Sequence, residues 1–365
     1  MSFKNNFYIY HSKDGFILHN FESKESFLLD AETFKKLVDE NISDNEEFQQ
    51  AGLIGEKQEE LYDIAVQIYK SASYIQIKEL DVNFDFWREY LAISANIISN
   101  IKQEEKTYEG AIELLPHRKI EVNYYDLLKK RRTIREFKGE KISKQELSDI
   151  LFITFGKFHD SFDEEYLDAI PDISWRRSSP SAGGINAVQA YVLIHYVEGL
   201  EPGVYYYDGQ KHLLLLIKKG INEQDLIPNL LNQEFAVGSA INIITVANYK
   251  SLRMKYAHDK AYTFPFLDNG HLIQTGMLTA VALNLQSWMS SAICEEYFAK
   301  LFNLQSYQVP LCFWAVGHGY NESLGPKNKT KIRQILEEQK ALSKVLLKEK
   351  IFIKINKELE EEKSI

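Results

Sequence analysis

Cysteine is almost missing from this chain. Only Cys294 and Cys312 occur among 365 residues, and their spacing suits neither a metal site nor a disulfide framework. No apolar run approaches the ~20 residues that span a bilayer. The opening MSFKNNFYIYHSKDG lacks the charged-then-apolar pattern of a signal peptide. Positive charge is not in excess either: the formal net charge is −9, which argues against non-specific nucleic-acid binding, because that needs a basic face. There is no Walker loop, no GxGxxG and no HExxH, which sets aside the standard nucleotide and metal motifs. No internal repeat or low-complexity tract is present. Together these absences predict a soluble cytoplasmic protein with no metal site and no nucleic-acid or membrane partner.

What is abundant is core-forming material. Apolar residues make up 45 % of the chain, with 21 Phe and 21 Tyr, so a large folded core is expected rather than disorder. The length suggests one large domain plus a smaller one. Residues 7–30 read as short strands broken at Lys13-Asp14-Gly15 and Glu22-Ser23-Lys24, and Asp-Gly between apolar runs is a hairpin signal. A helix follows with Ala31, Phe34, Leu37 and Val38 at helical spacing, and a shorter one ends near Gly52. Further helices are predicted over 59–72 and 84–103, with a polar, charged linker over 100–110. The domains are therefore set at 1–110 and 111–365.

Beyond the linker, YYDLLKKRR reads as the end of a helix. Ser143, with Glu146 three residues on, signs a capping box for the next one. The segment 158–174 is irregular and acidic. Strands are expected at 188–197, 203–207 and 211–217, then in VGSAINIITVANY and PLCFWAVGHG, with a buried helix over 267–286. A charged tail from 328 has a helical pattern. Helices around a largely antiparallel or mixed sheet make an α+β domain.

Three constellations could carry chemistry. RRTIREF, 131–137, holds three arginines in five residues. Planar guanidinium forks suit phosphate oxygens and carbonyl edges, although a solvated basic turn is an equal reading of so short a motif. SSPSAGGINAVQAY, from Ser178, runs a small-residue turn into a strand. Its glycines let backbone N–H groups approach a ligand closely, and the plain alternative is a tight turn. In the third stretch, 253–274, Lys255 and Tyr256 adjoin and His271 opens a buried helix. A lysine near other cations, or desolvated, can act as a base. A surface lysine beside a packed tyrosine, and a structural histidine, are the ordinary alternatives.

In this order, RRTIREF, SPSAGG, GVYYYD, KY…AY…LDNGHLIQ and VGHG resemble the nitroreductase superfamily, and within it the SagB-type (ThcOx-like) dehydrogenases of peptide natural-product biosynthesis. The resemblance covers roughly residues 120–325. It implies an FMN-binding α+β fold, a mixed sheet flanked by helices, with the flavin at a homodimer interface. Ser179, Pro180, Ser181, Ala182 and Gly183 would hold the flavin ring. Arg131, Arg132 and Arg135 would reach the ribityl phosphate and pyrimidine edge, with Gln286 and Ser287 adding to the cofactor site. Lys327, Lys329 or Arg333 would complete the phosphate site. Lys255 and Tyr256 match the catalytic lysine–tyrosine pair of the azole-forming members.

The chain departs from that pattern where glycine-rich and small residues are common. It has Asn284, Gln286, Trp288 and Met289 there. The N-terminal third resembles small winged-helix-like modules that take a leader peptide as an added strand; a structural extension is the alternative. The resemblance implies oxidation of thiazoline or oxazoline rings in a peptide to thiazole or oxazole, with a cyclodehydratase complex as a possible partner. Two other functions stand beside it: an NAD(P)H-dependent flavin reductase of dehydroamino acids, nitro compounds or quinones, and a flavin-free scaffold subunit.

Overall fold

The computed structural model describes residues 2–3, 7–20, 25–38, 46–55, 110–159, 175–256, 259–320, 322–323 and 325–341. The helices expected over 59–72 and 84–103, nearly all of the linker over 100–110 and most of the acidic segment 158–174 lie outside them. The chain divides into two units, one of residues 1–90 with 256–263 and the other of residues 91–255 with 264–365.

In the first unit, strands β1 (Ser2–Phe3) and β5 (Ile54–Gly55) pair with each other. Strands β2 (Phe7–Ser12), β3 (Gly15–Asn20) and β4 (Ser26–Leu29) form an antiparallel sheet in that order. The hairpin turns at Asp14-Gly15, as the sequence predicts, with Ser12 opposite Gly15. Helices α1 (Ala31–Val38) and α2 (Glu46–Gln50) follow. Leu18, Leu37, Phe48 and Leu53 make a small core. Gly52, at φ +69°, stops the second helix, a backbone region that favours glycine.

Among the described residues, the second unit is built on seven strands. Strands β6 (Ile112–Glu113), β7 (Val188–Ile194), β8 (Gly203–Asp208), β9 (Leu213–Lys219), β10 (Ile241–Asn248), β11 (Gln286–Ser290) and β12 (Gln308–Gly317) are arranged in the order β11-β12-β10-β7-β8-β9-β6. All strand pairs are antiparallel; parallel pairing enters through isolated bridges, Thr133 to Ser287 and Ile142 to Val197. Its helices are α3 (Tyr124–Lys130), α4 (Lys144–Phe155), α5 (Tyr249–Lys255), α6 (Phe264–Ala282) and α7 (Glu295–Leu301). Residues 326–341 are also helical.

Both sheet faces are covered, which explains the near-continuous apolar strands. Along β10, Ile241 and Ile243 join a core with Leu272, Ile273 and Met277 of α6 and Leu147 and Leu151 of α4. Ile244 and Val246 join the opposite core with Phe298 and Phe302. The capping box is formed as expected: Glu146 N donates to Ser143 Oγ at 3.2 Å, and Ser143 N donates to Glu146 Oε2 at 2.7 Å. Gly276 lets α6 lie flat on the sheet, because a Cβ there would overlap the Trp314 ring.

The sequence extends this long helix to 286, but it ends at Ala282. Asn284 takes φ +58°, and Leu285 N donates to Ala280 O at 2.8 Å. Such a left-handed asparagine is a helix stop. It frees Gln286–Ser290 to pair as the sheet's edge strand beside β12.

Candidate functional site

Two groups of residues stand out, and α6 carries both. The first is the loop 179–184, fastened to the early turns of that helix. Ser179, buried, shares a 2.7 Å hydrogen bond with Thr275 Oγ1, and its Oγ donates to His271 O at 3.4 Å. Pro180 is exposed. Ser181 Oγ donates to Asp268 Oδ2 at 2.7 Å, and Ala182 N lies 3.1 Å from both carboxylate oxygens. Gly183 and Gly184 take φ +58° and +69°, the left-handed region that glycine enters at no steric cost. The space of the missing Gly184 side chain is filled by the Arg176 guanidinium, which a Cβ would overlap.

Arg177 fixes the stem of the loop. Its Nε donates to Phe155 O at 3.1 Å and its Nη1 to Val188 O at 2.7 Å, with the guanidinium over the Trp175 ring. Burial holds its pKa down to about 10, against the pull of Tyr206, Tyr207 and Asp268. Asp268 is pushed above the ordinary carboxylate range by its own burial, while the Ser181 and Ala182 hydrogen bonds and the charges of Arg177 and His271 act the other way.

Lys255, the last residue of α5, reaches this loop: its Nζ donates to Gly183 O at 3.3 Å. The lysine and the small-residue turn, 72 positions apart in sequence, are thus in contact. Tyr256 follows directly, is half-buried, and belongs with residues 256–263 to the N-terminal unit.

The second group surrounds a cleft of about 720 Å³ at the other end of α6. Lys129 and Lys130 from α3, Arg132 and Ile134 from the arginine motif and Lys138 just after it, Val281, Asn284, Leu285 and Gln286 around the end of α6, and His318 and Gly319 after β12 line it. Four of these side chains are Lys or Arg and none is a carboxylate. The arginine motif reaches the cleft by pairing with β11: Ile134 N donates to Ser287 O at 3.0 Å, and Lys138 N donates to His318 O at 2.9 Å. Gln286 Oε1 accepts from Gly319 N at 2.7 Å, holding the turn after β12 against the strand.

Of the three predicted arginines, Arg132 lines this cleft. Arg131 closes α3 through its backbone, with its N–H donating to Leu127 O. The Arg135 guanidinium lies 5.8 Å from the Phe235 ring centroid. Ser287 is buried and acts through its backbone. Lys329 pairs with Glu322, and Arg333 is exposed on the C-terminal helical segment.

Sequence reasoning missed Asp268, Arg177 and Thr275. A carboxylate inside the apolar LDNGHLIQ helix was the available signal, since a buried charge needs a specific partner. Val281 lies thirteen residues beyond Asp268 on α6, about 20 Å of helix at the ~1.5 Å rise per residue. The two arms of the expected flavin site therefore stand toward opposite ends of one helix. Among the described residues, no cluster of three or more His, Cys, Asp or Glu could hold a metal ion, and no helix is long and apolar enough to cross a membrane.

Comparison with known proteins gives the lineage. A protein of Methanocaldococcus jannaschii that carries a nitroreductase name is 28 % identical over 197 residues, 54 % of this chain and 91 % of its own. The trifolitoxin operon protein TfxC of Rhizobium leguminosarum bv. trifolii is 24 % identical over 176 residues, 47 % of this chain and 49 % of its own. Among solved structures, a nitroreductase-named protein of Anabaena variabilis has a TM-score of 0.48 at 23 % identity, covering 60 % of this chain and 45 % of its own. The Escherichia coli microcin synthetase McbBCD complex has a TM-score of 0.43 at 17 % identity, covering 67 % of this chain and 85 % of that one. The nitroreductase family model matches residues 128–318, which run from the end of the helix before the arginine motif to the turn after β12 and take in both arms of the site. The chain belongs to the nitroreductase family, and the α+β sheet flanked by helices is the fold of that family.

Proposed function

We propose that this oxidoreductase is FMN-dependent and oxidises thiazoline or oxazoline rings of a ribosomally made peptide to thiazole or oxazole. The observation that carries the reading is the 3.3 Å hydrogen bond from Lys255 Nζ to Gly183 O, which sets a potential base on the loop expected to border the flavin ring. The kinship with a protein of the trifolitoxin operon supports a place in peptide modification.

The residues present fit FMN. A cleft with four Lys or Arg side chains and no lining carboxylate suits a phosphate monoester, and its ~720 Å³ lies in the range of small-molecule sites. Lys129, Lys130, Arg132 and Lys138 would hold the phosphate. A two-fold pair of chains would set the loop of one copy beside the cleft of the other. When bound, FMN supplies the two-electron redox chemistry. Aromatisation removes one proton and one hydride equivalent from the ring. Lys255 receives the proton from the ring Cα, aided by the adjacent Tyr256. In the N-terminal unit, β2 and β4 are the edges of the three-stranded sheet among the described residues, and either can take a peptide as an added strand.

The test is a peptide assay by mass, scoring a loss of about 2 Da per ring. Lys255→Ala should retain FMN and fold while losing ring oxidation by about 10²–10⁴-fold, the usual worth of a positioned base. Wild-type rates in that variant would defeat the base assignment. The nitroreductase-named relative, 91 % of whose length is matched, favours a second reading, an NAD(P)H-dependent flavin reductase. Rapid bleaching of the FMN-loaded protein by NADPH, with no mass loss on any azoline peptide, would establish that reading instead.

A further inference from the structure

Asp268 is 6 % exposed, the one carboxylate on a helix whose buried face is mostly apolar. A carboxylate so placed is costly unless it is hydrogen-bonded, and the loop supplies the bonds. Ser181 Oγ and Ala182 N both donate to it. Ser181 Oγ also accepts from Asn186 N at 3.0 Å, so the same hydroxyl closes the loop on itself. The next carbonyl along, that of Gly183, accepts from Lys255 Nζ. Asp268, the Ala182 amide, the Gly183 carbonyl and the Lys255 amine thus form an unbroken chain of contacts from the helix to the amine.

We propose that Asp268 is the positioning residue of Lys255: by anchoring Ser181 and Ala182 to helix α6, it fixes the Gly183 carbonyl on which the lysine amine rests. The proposal rests on the reading of Lys255 as the base of the reaction. A lysine side chain carries large rotamer freedom, and a misplacement of about 1 Å can cost about 10²-fold in rate. A carbonyl on two left-handed glycines is itself a mobile support unless something holds the residues before it. Asp268 does so with two donors on one carboxylate, the stronger charged kind of hydrogen bond. The residue touches the loop and not the reacting atoms, so its effect passes through Lys255.

Two measurements on the FMN-loaded protein test this. The first is independent of the reaction: competitive acetylation of lysines by acetic anhydride, read residue by residue by mass spectrometry. Asp268→Asn should raise labelling of Lys255 about fivefold, what the loss of one ordinary hydrogen bond is worth, with the exposed Lys141 unchanged. The second is the 2 Da assay. There, Asp268→Asn should lower kcat by about 10²-fold with the peptide KM little changed, and the same substitution should cost nothing further in a Lys255→Ala background. Should Asp268→Asn fail to fold, Ser181→Ala removes one anchor on the partly exposed loop and should move Lys255 labelling in the same direction by a smaller factor.

Unchanged Lys255 labelling in whichever variant folds overturns the positioning role, whatever the peptide assay shows. Equal losses of kcat in the wild-type and Lys255→Ala backgrounds overturn it too, because a residue acting through the lysine has nothing to act through once the lysine is gone. If labelling responds but the wild type never removes 2 Da from any azoline peptide, the positioning stands and the azoline reading falls.

Discussion

Glu136 caps a helix that begins 190 residues later in the chain. Its carboxylate accepts from Lys327 N at 3.2 Å and Asn328 N at 3.3 Å, at the start of the helical segment 326–341, while Asn328 Nδ2 donates to Arg135 O at 3.1 Å. A carboxylate at a helix N-terminus satisfies orphan N–H groups and meets the positive end of the helix dipole. Gly325 makes room for it, since a Cβ there would overlap the Glu136 carboxylate. Glu136→Ala should therefore cost about 0.5–2 kcal/mol, the worth of a lost cap. Hydrogen exchange at residues 327–330 should accelerate, while exchange in β10 stays slow.

Arg132 and Arg333 should behave oppositely toward FMN. Arg132 lines the basic cleft, whereas Arg333 is exposed on the C-terminal helical segment. Arg132→Ala should weaken FMN binding about tenfold to a hundredfold, as expected for losing a hydrogen bond to a charged group. Arg333→Ala should leave it unchanged. Fluorescence titration of the apoprotein with FMN measures both, and the reverse ranking would move the phosphate to the C-terminal helix.

Stability should fall on mild acidification through His195. This buried imidazole shares a 2.7 Å hydrogen bond with Asn242 Oδ1 and stands 4.0 Å from Glu223 Oε1. Burial lowers its pKa from the ordinary 6.5, with Asn242 and Glu223 opposing. The unfolded chain therefore takes up the proton first as pH drops. The contribution is fully present above 6.5 and is lost as pH falls from there toward the lower folded value, with a slope of at most about 1.4 kcal/mol per pH unit. Urea unfolding between pH 7 and 5 should show this slope, and His195→Gln should flatten it. His212, whose pKa is also lowered by burial, should keep a smaller remainder of the same sign.

Assembly is testable at exposed apolar residues of two helices. Leu267 and Phe266 on α6 are 61 % and 54 % exposed, and Tyr124 and Tyr125 on α3 are 66 % and 70 % exposed; α3 buries no residue of its own. Such apolar exposure on neighbouring helices marks an association surface. The wild type should scatter light as twice the 42.4 kDa chain, and Leu267→Asp should give a monomer with much weakened FMN binding. A monomeric wild type that still holds FMN would remove the two-copy arrangement of the site.

Local signals in the sequence carried through to the fold wherever the physics is local. The Ser143–Glu146 capping box needs only four consecutive residues. The Asp14-Gly15 hairpin needs a residue tolerant of an unusual backbone, and the strand patterns of β7, β8, β10 and β12 need only a run of apolar residues. The end of α6 was misread because nothing in LNLQSW marks Asn284 as left-handed until β11 finds its partner in β12. The site was half legible. Small residues and basic residues announce themselves, so the loop, Lys255 and Arg132 could be named in advance. Asp268 shows in the sequence only as one carboxylate in an apolar helix, a signal whose meaning comes from the donors facing it 86 residues away. Periodicity could not show that the two arms attach toward opposite ends of the same helix.

Lys255 ends the first stretch of the larger unit, and Tyr256 opens an eight-residue return to the other. The chain accordingly crosses between the units three times rather than once, after residues 90, 255 and 263. The N-terminal unit is in this sense a discontinuous module, completed by a short stitch from the middle of the sequence. A deletion that discards the first 110 residues strips that stitch of its own unit and leaves it tethered one peptide bond from the lysine. A clean separation of the two halves must replace residues 256–263 with a flexible bridge as well as cutting the front of the chain.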